Sequence, residues 1–370
     1  MPVPLLDVNA QNHALKSELR AAFDGVLETG RFIMGEEVEA FEASIAEFTG
    51  SKHAIGVSSG TDAILLALMA LGIGHGDEVI CPSFTFFATA GCIARTGATP
   101  VFCDCHPDNF NIDFDSAAQC ITERTKAIIP VHLFGQSVDM NTCAAFAKKH
   151  DLHIIEDTAQ SLGAQYQGKS CGAMSDFGTY SFFPSKNLGG LGDGGLLVTQ
   201  DDELAEIAVK MRNHGMHPRY YHQMVGGNFR LDALQAALLR VKFAHYSDYT
   251  RLRQEHAAYY QENLSGLDGI ILPITEDGNN HIWNQFTIRV LNGQRDALKQ
   301  ALLDQNIGCE IYYPVPMHKQ ECFAHLADAA QSSFTVTEQL SAQVLSIPVY
   351  PELTQSQQDE VISAIRHFVG

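Results

Sequence analysis

TKAIIPVHLFGQSVDMNTCAAFAKKHDLHIIEDTAQS, residues 125–161, holds two apolar runs rich in β-branched residues with an amphipathic stretch, MNTCAAFAKKH, between them. The spacing predicts a strand, a helix and a second strand. Such a crossover lays its two strands parallel. Neither run alternates strictly between apolar and polar residues, as expected of strands covered by helices on both faces. Similar runs stand before it, HAIGVSS, DEVICPSF and TPVFCDC, and after it, FGTYSFF and GGLLVTQ. Between the first two lies DAILLALMALG, apolar all round and therefore read as a buried helix. The pattern predicts an α/β fold with an open, mostly parallel sheet flanked by helices. This large domain, with an N-terminal arm, takes residues 1–242. Beyond Lys242 the character changes to a long helical pattern through Leu264 and then to a shorter α+β stretch with WNQFTIRV as a strand, which sets a smaller C-terminal domain at 243–370.

Composition narrows the function. The 370 residues are 45% hydrophobic and 18% charged, the balance of a soluble globular protein, and no apolar run is long enough to cross a bilayer. MPVPLLDVNAQ does not resemble a signal peptide. A formal charge of -19 argues against nucleic acid or an anionic membrane as partner, since both need a surplus of Lys and Arg. The nine cysteines show no zinc or redox spacing and fit a reducing cytoplasm, each as a small buried hydrophobe.

In an open α/β sheet, ligands bind beyond the carboxyl ends of the strands. One such end, VSSGTDA, turns through Ser59, Gly60 and Thr61 into a helix, where free N–H groups converge on an anion; a simple Ser/Thr cap is the plainer reading. A second, IIEDTAQS, ends in Glu156 and Asp157 on opposite faces, with Gln160 three residues on. A carboxylate there holds a magnesium ion, caps a helix or faces a cationic ring, and the pattern alone leaves the three open. The third end places Ser181 on a strand and Lys186 just beyond it, before a glycine cluster. A lysine partly removed from water is a better amine nucleophile, although a lone lysine more often keeps its head in solvent. Together these ends offer an anion cup, a carboxylate and an amine, the set that pyridoxal phosphate requires. Phe86, at another strand end, is an aromatic that can cover a ring, while Phe84 and Phe87 read equally well as core.

The runs SSGTDA, PSFTFFATAGC, TKAIIPVHLFGQ, IIEDTAQS, FFPSKNLGGLGDGG and GGNFRLDALQAALLRVK resemble the DegT/DnrJ/EryC1/StrS family of sugar aminotransferases over nearly the whole chain. The resemblance implies a pyridoxal 5′-phosphate enzyme of fold type I in which Lys186 is the Schiff-base lysine and Asp157 pairs with the pyridine nitrogen. Gln160 then lies by the ring oxygen, Gly60, Thr61 and Ser181 hold the phosphate, and Phe86 stacks on the ring. It further implies a homodimer with shared active sites, Asn228 reaching the partner's phosphate, although Asn228 also reads as the N-cap of a helix beginning near Leu231. Arg230 matches a position that contacts substrate in some members, and Tyr313 and His318, in IYYPVPMHK, match the substrate-side loop. The implied substrates are L-glutamate and a nucleotide-linked ketosugar. The lysine segment is similar to the FYPxKNLGALGDGG form of members that aminate C3 of a hexose. C4 amination, a sugar dehydratase and a non-catalytic cofactor-binding regulator are the alternatives; dehydratases of the family replace the lysine by histidine, and this chain keeps Lys186.

One motif points elsewhere. GAQYQGKS, Gly163–Ser170, matches the P-loop pattern, yet CGAMSDFG follows it with no helical periodicity. A P-loop needs a helix there, so a hairpin turn is the expected structure.

Overall fold

The computed structural model describes residues 2–329 and 333–370. The apolar runs become β1 (His53–Val57), β2 (Glu78–Pro82), β3 (Thr99–Cys103), β4 (Thr125–Ile128) and β5 (His153–Asp157). A short hairpin, β6 (Gln165–Tyr166) and β7 (Lys169–Ser170), precedes β8 (Phe177–Ser181) and β9 (Gly195–Thr199). Seven of these form one sheet in the order β1-β9-β8-β5-β4-β2-β3. Its neighbours are parallel except that β9 runs antiparallel to both β1 and β8.

Adjacent residues of one strand enter different cores, which is why the runs read as continuously apolar. Leu197, Val79, Cys81 and Ile155 pack with the helix Gly60–Ala70 on one face. Leu196 and Val198 pack on the other with Phe41 and Leu239, and Ile80 and Ile154 with Met140 and Phe146. The helix Gly60–Ala70 is buried almost all round, as DAILLALMALG predicts. The expected amphipathic helix is Met140–His150, capped by Asp139, whose carboxylate accepts from the Asn141 and Thr142 amides.

The P-loop-like stretch is the hairpin β6–β7, with Tyr166 opposite Lys169. Gln167 and Gly168 turn it at φ 49° and 78°. Positive φ at both central residues is the signature of a two-residue hairpin turn, and no helix N-terminus is present to hold a phosphate.

C-terminal to the first sheet, the helix Tyr246–Leu264 leads to β10 (Ile270–Ile271), β11 (Asn279–Asn280), β12 (Phe286–Val290) and β13 (Val344–Ile347). β10, β12 and β13 make a small antiparallel sheet, and β11 joins β6. The small sheet has its own core of Tyr260, Phe286, Ile288, Leu298, Leu302, Leu345 and Ile365. Val3 also sits in that core: its N–H donates to the Asn306 carbonyl at 2.9 Å, and its carbonyl accepts from the Gly308 amide at 2.7 Å. The first segment of the chain is thus fastened to the last third of it.

Among the described residues, no helix is long and apolar enough to cross a membrane. All nine cysteines are free thiols, eight of them buried.

Candidate active site

β1, β9, β8 and β5 lie side by side, so their ends bring the predicted residues together. Val57 pairs with Gly195, Gly195 with Ser181, and Thr179 with Asp157. Just past Val57, Ser59 in extended conformation caps the helix Gly60–Ala70, its Oγ accepting from the Asp62 amide at 3.0 Å. The Gly60 and Thr61 amides in that first turn have no partner within the helix, because no turn precedes them. Gly60 is set against β8: a Cβ there would fall 2.7 Å from Ser181 Cβ and 3.2 Å from its Oγ. The absent side chain lets the hydroxyl of Ser181 approach the open helix end, an arrangement suited to a phosphate.

Asp157 closes β5 and is buried. Its Oδ2 accepts from Thr89 Oγ1 at 2.8 Å and its Oδ1 from the Ala159 amide at 3.2 Å. Burial raises its pKa above the usual carboxylate value, outweighing those hydrogen bonds and the positive charge of Lys186. Lys186 lies in the loop after β8, where burial lowers its amine from 10.5 to about 8 against the pull of Asp157. Both groups are moved towards neutrality, and no direct ion pair joins them. Two opposite charges on the walls of one site, each penalised by burial and still apart, leave room between them for a group that engages both.

Glu156 points to the other face. Its carboxylate accepts from the Gly172 amide at 2.7 Å, the Met174 amide at 2.9 Å and Ser175 Oγ at 2.8 Å, and meets His132 Nε2 at 2.9 Å. Of two adjacent acids, then, one is wholly occupied in the interior and the other faces the site.

Gln160 is buried, with Oε1 accepting from the Phe134 amide at 2.7 Å and Nε2 donating to Tyr313 OH at 3.0 Å. The Tyr313 ring lies 6.2 Å from Phe86 and 6.1 Å from Phe84. Phe84 is core, whereas Phe86 is 56% exposed at the start of the helix Phe87–Thr96. Phe87 stacks on Phe323. His318 turns towards the protein: Nδ1 is 2.7 Å from Ser83 Oγ, Nε2 is 3.2 Å from Glu338 Oε1, and the ring stacks on Phe334 at 4.0 Å.

Arg230 bridges Val57 through its main chain and donates from Nη1 to Asn213 Oδ1 at 2.6 Å, while its Nε is buried without a partner. The capping reading of Asn228 is corrected. The helix there begins at Ala233 with Asp232 in the cap position, and Asn228 lies four residues earlier in an extended segment paired with Asn213. Its side chain is exposed. Thr89 was not anticipated. Its position three residues after Phe86, one helical turn on, is the signal that would have found it.

A cavity of about 430 Å³ bounded by Asp108, Asp113, Asp139 and Glu276 contains none of these residues. Its acidic wall disfavours a phosphorylated ligand.

A model of the DegT/DnrJ/EryC1/StrS aminotransferase family matches residues 13–366. The chain belongs to that family. Members depend on pyridoxal 5′-phosphate. The chain is 48% identical over 370 residues, covering all of it and 99% of the relative, to a protein of Geobacillus stearothermophilus called pleiotropic regulatory protein. It is 45% identical to the UDP-N-acetyl-3-dehydro-alpha-D-glucosamine 3-aminotransferase of Acidithiobacillus ferrooxidans, over 98% of this chain and 97% of the other. Among solved structures, S. venezuelae DesV in complex with a ketimine intermediate superposes with a TM-score of 0.96 at 43% identity, covering 100% of this chain and 98% of that one. The unpaired Lys186 and Asp157, the cup that a Cβ at Gly60 would fill and the exposed ring of Phe86 fit the cofactor of this aminotransferase family.

Proposed function

We propose that this aminotransferase moves an amino group from an amino acid, L-glutamate, to the C3 keto group of a nucleotide-linked sugar. The observation that carries the reading is the pair Lys186 and Asp157, both drawn towards neutrality by burial and held apart beside an anion cup. When bound, pyridoxal phosphate supplies an electron sink for a carbanion. Asp157 holds a proton at the ring nitrogen, a task suited to a carboxylate whose proton affinity burial has raised. Lys186 Nζ, with a pKa of about 8, is in part free amine at neutral pH. It would act as the nucleophile and as the base and acid for the donor's α-proton. With the cofactor bound, Gly60, Thr61 and Ser181 would hold its phosphate, Gln160 would lie by the ring oxygen and Phe86 would shield one ring face from water. Tyr313 and Arg230 face the substrate. His318, engaged by Ser83 and Glu338, contributes by holding the 311–319 loop in place.

C3 is supported by the form of the lysine segment and by the activity named for the Acidithiobacillus relative. A cytoplasmic homodimer is supported by the free thiols and by Phe23, Leu27, Phe32 and Ile33, apolar side chains 43%, 56%, 42% and 57% exposed. Asn228 then completes the partner's cup. The second core, built on β10, β12 and β13, supports a second domain, with its boundary inside the helix Tyr246–Leu264, since Tyr246 and Tyr249 pack in a core of the large sheet and Ala257 in the second.

The test converts the enzyme to its pyridoxamine form with glutamate, presents 3-keto and 4-keto nucleotide sugars and follows the cofactor spectrum, with products identified by mass spectrometry and NMR. Turnover of 3-keto sugars is expected. Turnover of 4-keto sugars alone refutes C3, and no half-reaction with any amino acid would revive the regulatory reading that the Geobacillus relative's name carries.

A further inference from the structure

Arg253, on the helix Tyr246–Leu264, is 2% exposed, and among the described residues no carboxylate lies within ion-pair distance of it. Its Nη1 donates to three main-chain carbonyls, Trp283 at 3.0 Å, Asn284 at 3.3 Å and Val349 at 2.7 Å. Its Nε has no partner. Burial lowers its pKa to about 10, so it remains a cation at neutral pH. Carbonyl dipoles meet part of the cost of burying that charge, but a guanidinium is usually matched by a carboxylate that takes two of its donors.

Beside it lies a cavity of about 50 Å³ whose wall includes Arg253, Asn284, Ser185 and Tyr312, together with Leu5 and Leu6 of the N-terminal segment. That volume holds a carboxyl group and little more. Two wall residues adjoin the site already described: Ser185 precedes Lys186, and Tyr312 precedes Tyr313. Asn284 is buried, and its Oδ1 is unpartnered as well. A buried guanidinium with an unpartnered N–H, lining a space the size of a carboxyl group, suits the carboxylate of an α-amino acid and leaves the amine free to reach the lysine loop.

We infer that Arg253, with Ser185 and Asn284, forms the subsite that receives the α-carboxylate of the amino donor. The inference rests on the amino-transfer reading above. It assigns donor recognition to the junction of the lysine loop with the N-terminal segment and β13, and leaves the nucleotide sugar to the loops carrying Tyr313 and Arg230. A carboxylate on the sugar itself is the other source of the same chemistry.

The experiment uses cofactor-loaded enzyme and measures each half-reaction separately by stopped flow. In Asn284→Asp the new carboxylate is nearly the shape of the amide and stands on the same cavity wall as Arg253, where its charge repels an incoming carboxylate. That variant should fold with undiminished thermal stability while the glutamate concentration for half-saturation rises roughly 100-fold, the loss expected for a charge-assisted pair. Arg253→Gln should show the same rise. In both, the half-reaction of the pyridoxamine form with a neutral ketosugar should keep its rate and saturation within about twofold. Unchanged glutamate saturation in a folded Asn284→Asp enzyme overturns the subsite. So does a loss confined to ketosugars that carry a carboxylate, which would give the subsite to the sugar. If wild-type enzyme itself shows no half-reaction with glutamate or any other amino acid, it is the amino-transfer reading that fails.

Discussion

The acidity of Lys186 is open to direct measurement on cofactor-free protein. With a pKa of about 8 in place of 10.5, about a quarter of the amine is unprotonated at pH 7.5, against about a thousandth for an ordinary lysine. That is about 200-fold more free amine. Basicity and nucleophilicity fall together, and a Brønsted slope of about 0.4–0.5, as for thiolates, returns about a factor of 10 over this interval. The net expectation is labelling about 10- to 20-fold faster than a free Nα-acetyl-lysine standard at pH 7.5. The assay is competitive acylation with isotopically paired reagent from pH 6 to 11, read on the Lys186 peptide by mass spectrometry. Rate against pH should level off near pH 8, somewhat higher where solvent screens the open side of this half-buried chain. Asp157 raises the Lys186 pKa, so Asp157→Asn should move the midpoint down. A midpoint at 10 or above, or one that rises in Asp157→Asn, refutes the claim that burial dominates this amine.

The same shift makes a stability claim. Because the unfolded chain keeps the lysine proton up to about pH 10.5 and the folded one releases it near 8, cofactor-free wild type should gain stability between those values, by at most about 3 kcal/mol. Lys186→Met should lack that rise and be the more stable protein at pH 7, as thermal melts across pH will report. Gly60→Ala forces its new carbon against Ser181, so a loss of about 1–3 kcal/mol is expected, with cofactor affinity falling in parallel by equilibrium titration; wild-type affinity would remove Gly60 from the cup. Glu156→Ala leaves the Gly172 and Met174 amides and His132 Nε2 without their acceptor in the interior and should cost about 3–5 kcal/mol in urea unfolding; a cost below about 1 would show that the network is dispensable. Mixing Lys186→Ala with Asn228→Asp chains should restore activity above either parent if the sites are shared, and no gain after confirmed exchange would assign Asn228 to its own subunit.

Much of the architecture was legible because a strand buried on both faces must be apolar at successive positions, and HAIGV, EVICP and GLLVT are. The direction of β9 was not legible, since an apolar run reads the same whichever way it lies beside its neighbours. Lys186, Asp157 and Gly60 were legible only as a set: each alone has a plainer reading as a solvated amine, a capping acid or an ordinary helix start, and it is an amine, a carboxylate and an anion cup at neighbouring strand ends that ask for one ligand. Contacts across large sequence separations left no such trace. Nothing near Gln160 announces Tyr313, and Arg253 reads as one more basic residue on an exposed helix until Trp283, Asn284 and Val349 are folded around it. Asn228 was misjudged as a cap for a related reason. Helix starts are signalled by short polar residues, and Asp232 and Asn228 both qualify, so only the backbone decides between them.

The antiparallel course of β9 has a consequence for how this chemistry is inherited. Because β8 and β9 are neighbours, the loop bearing Lys186 leaves and re-enters the sheet at one place, where Ser181 pairs with Gly195 and the Phe182 amide bonds the Gly194 carbonyl at 2.8 Å. Within it the Gly190 amide returns to the Phe182 carbonyl at 2.7 Å and the Lys186 amide to Phe183 at 2.8 Å, so much of its shape is held by its own atoms. Gly189 packs against the Pro184 carbonyl too closely for any side chain, and Asn187 Nδ2 ties the loop to the Ile282 carbonyl at 3.1 Å. Residues 182–194 therefore behave as a cassette. Mutation or recombination can replace Phe183 or Leu191, and with them the exposed surface of the loop, without rebuilding the sheet, provided Asn187 and Gly189 travel with the lysine.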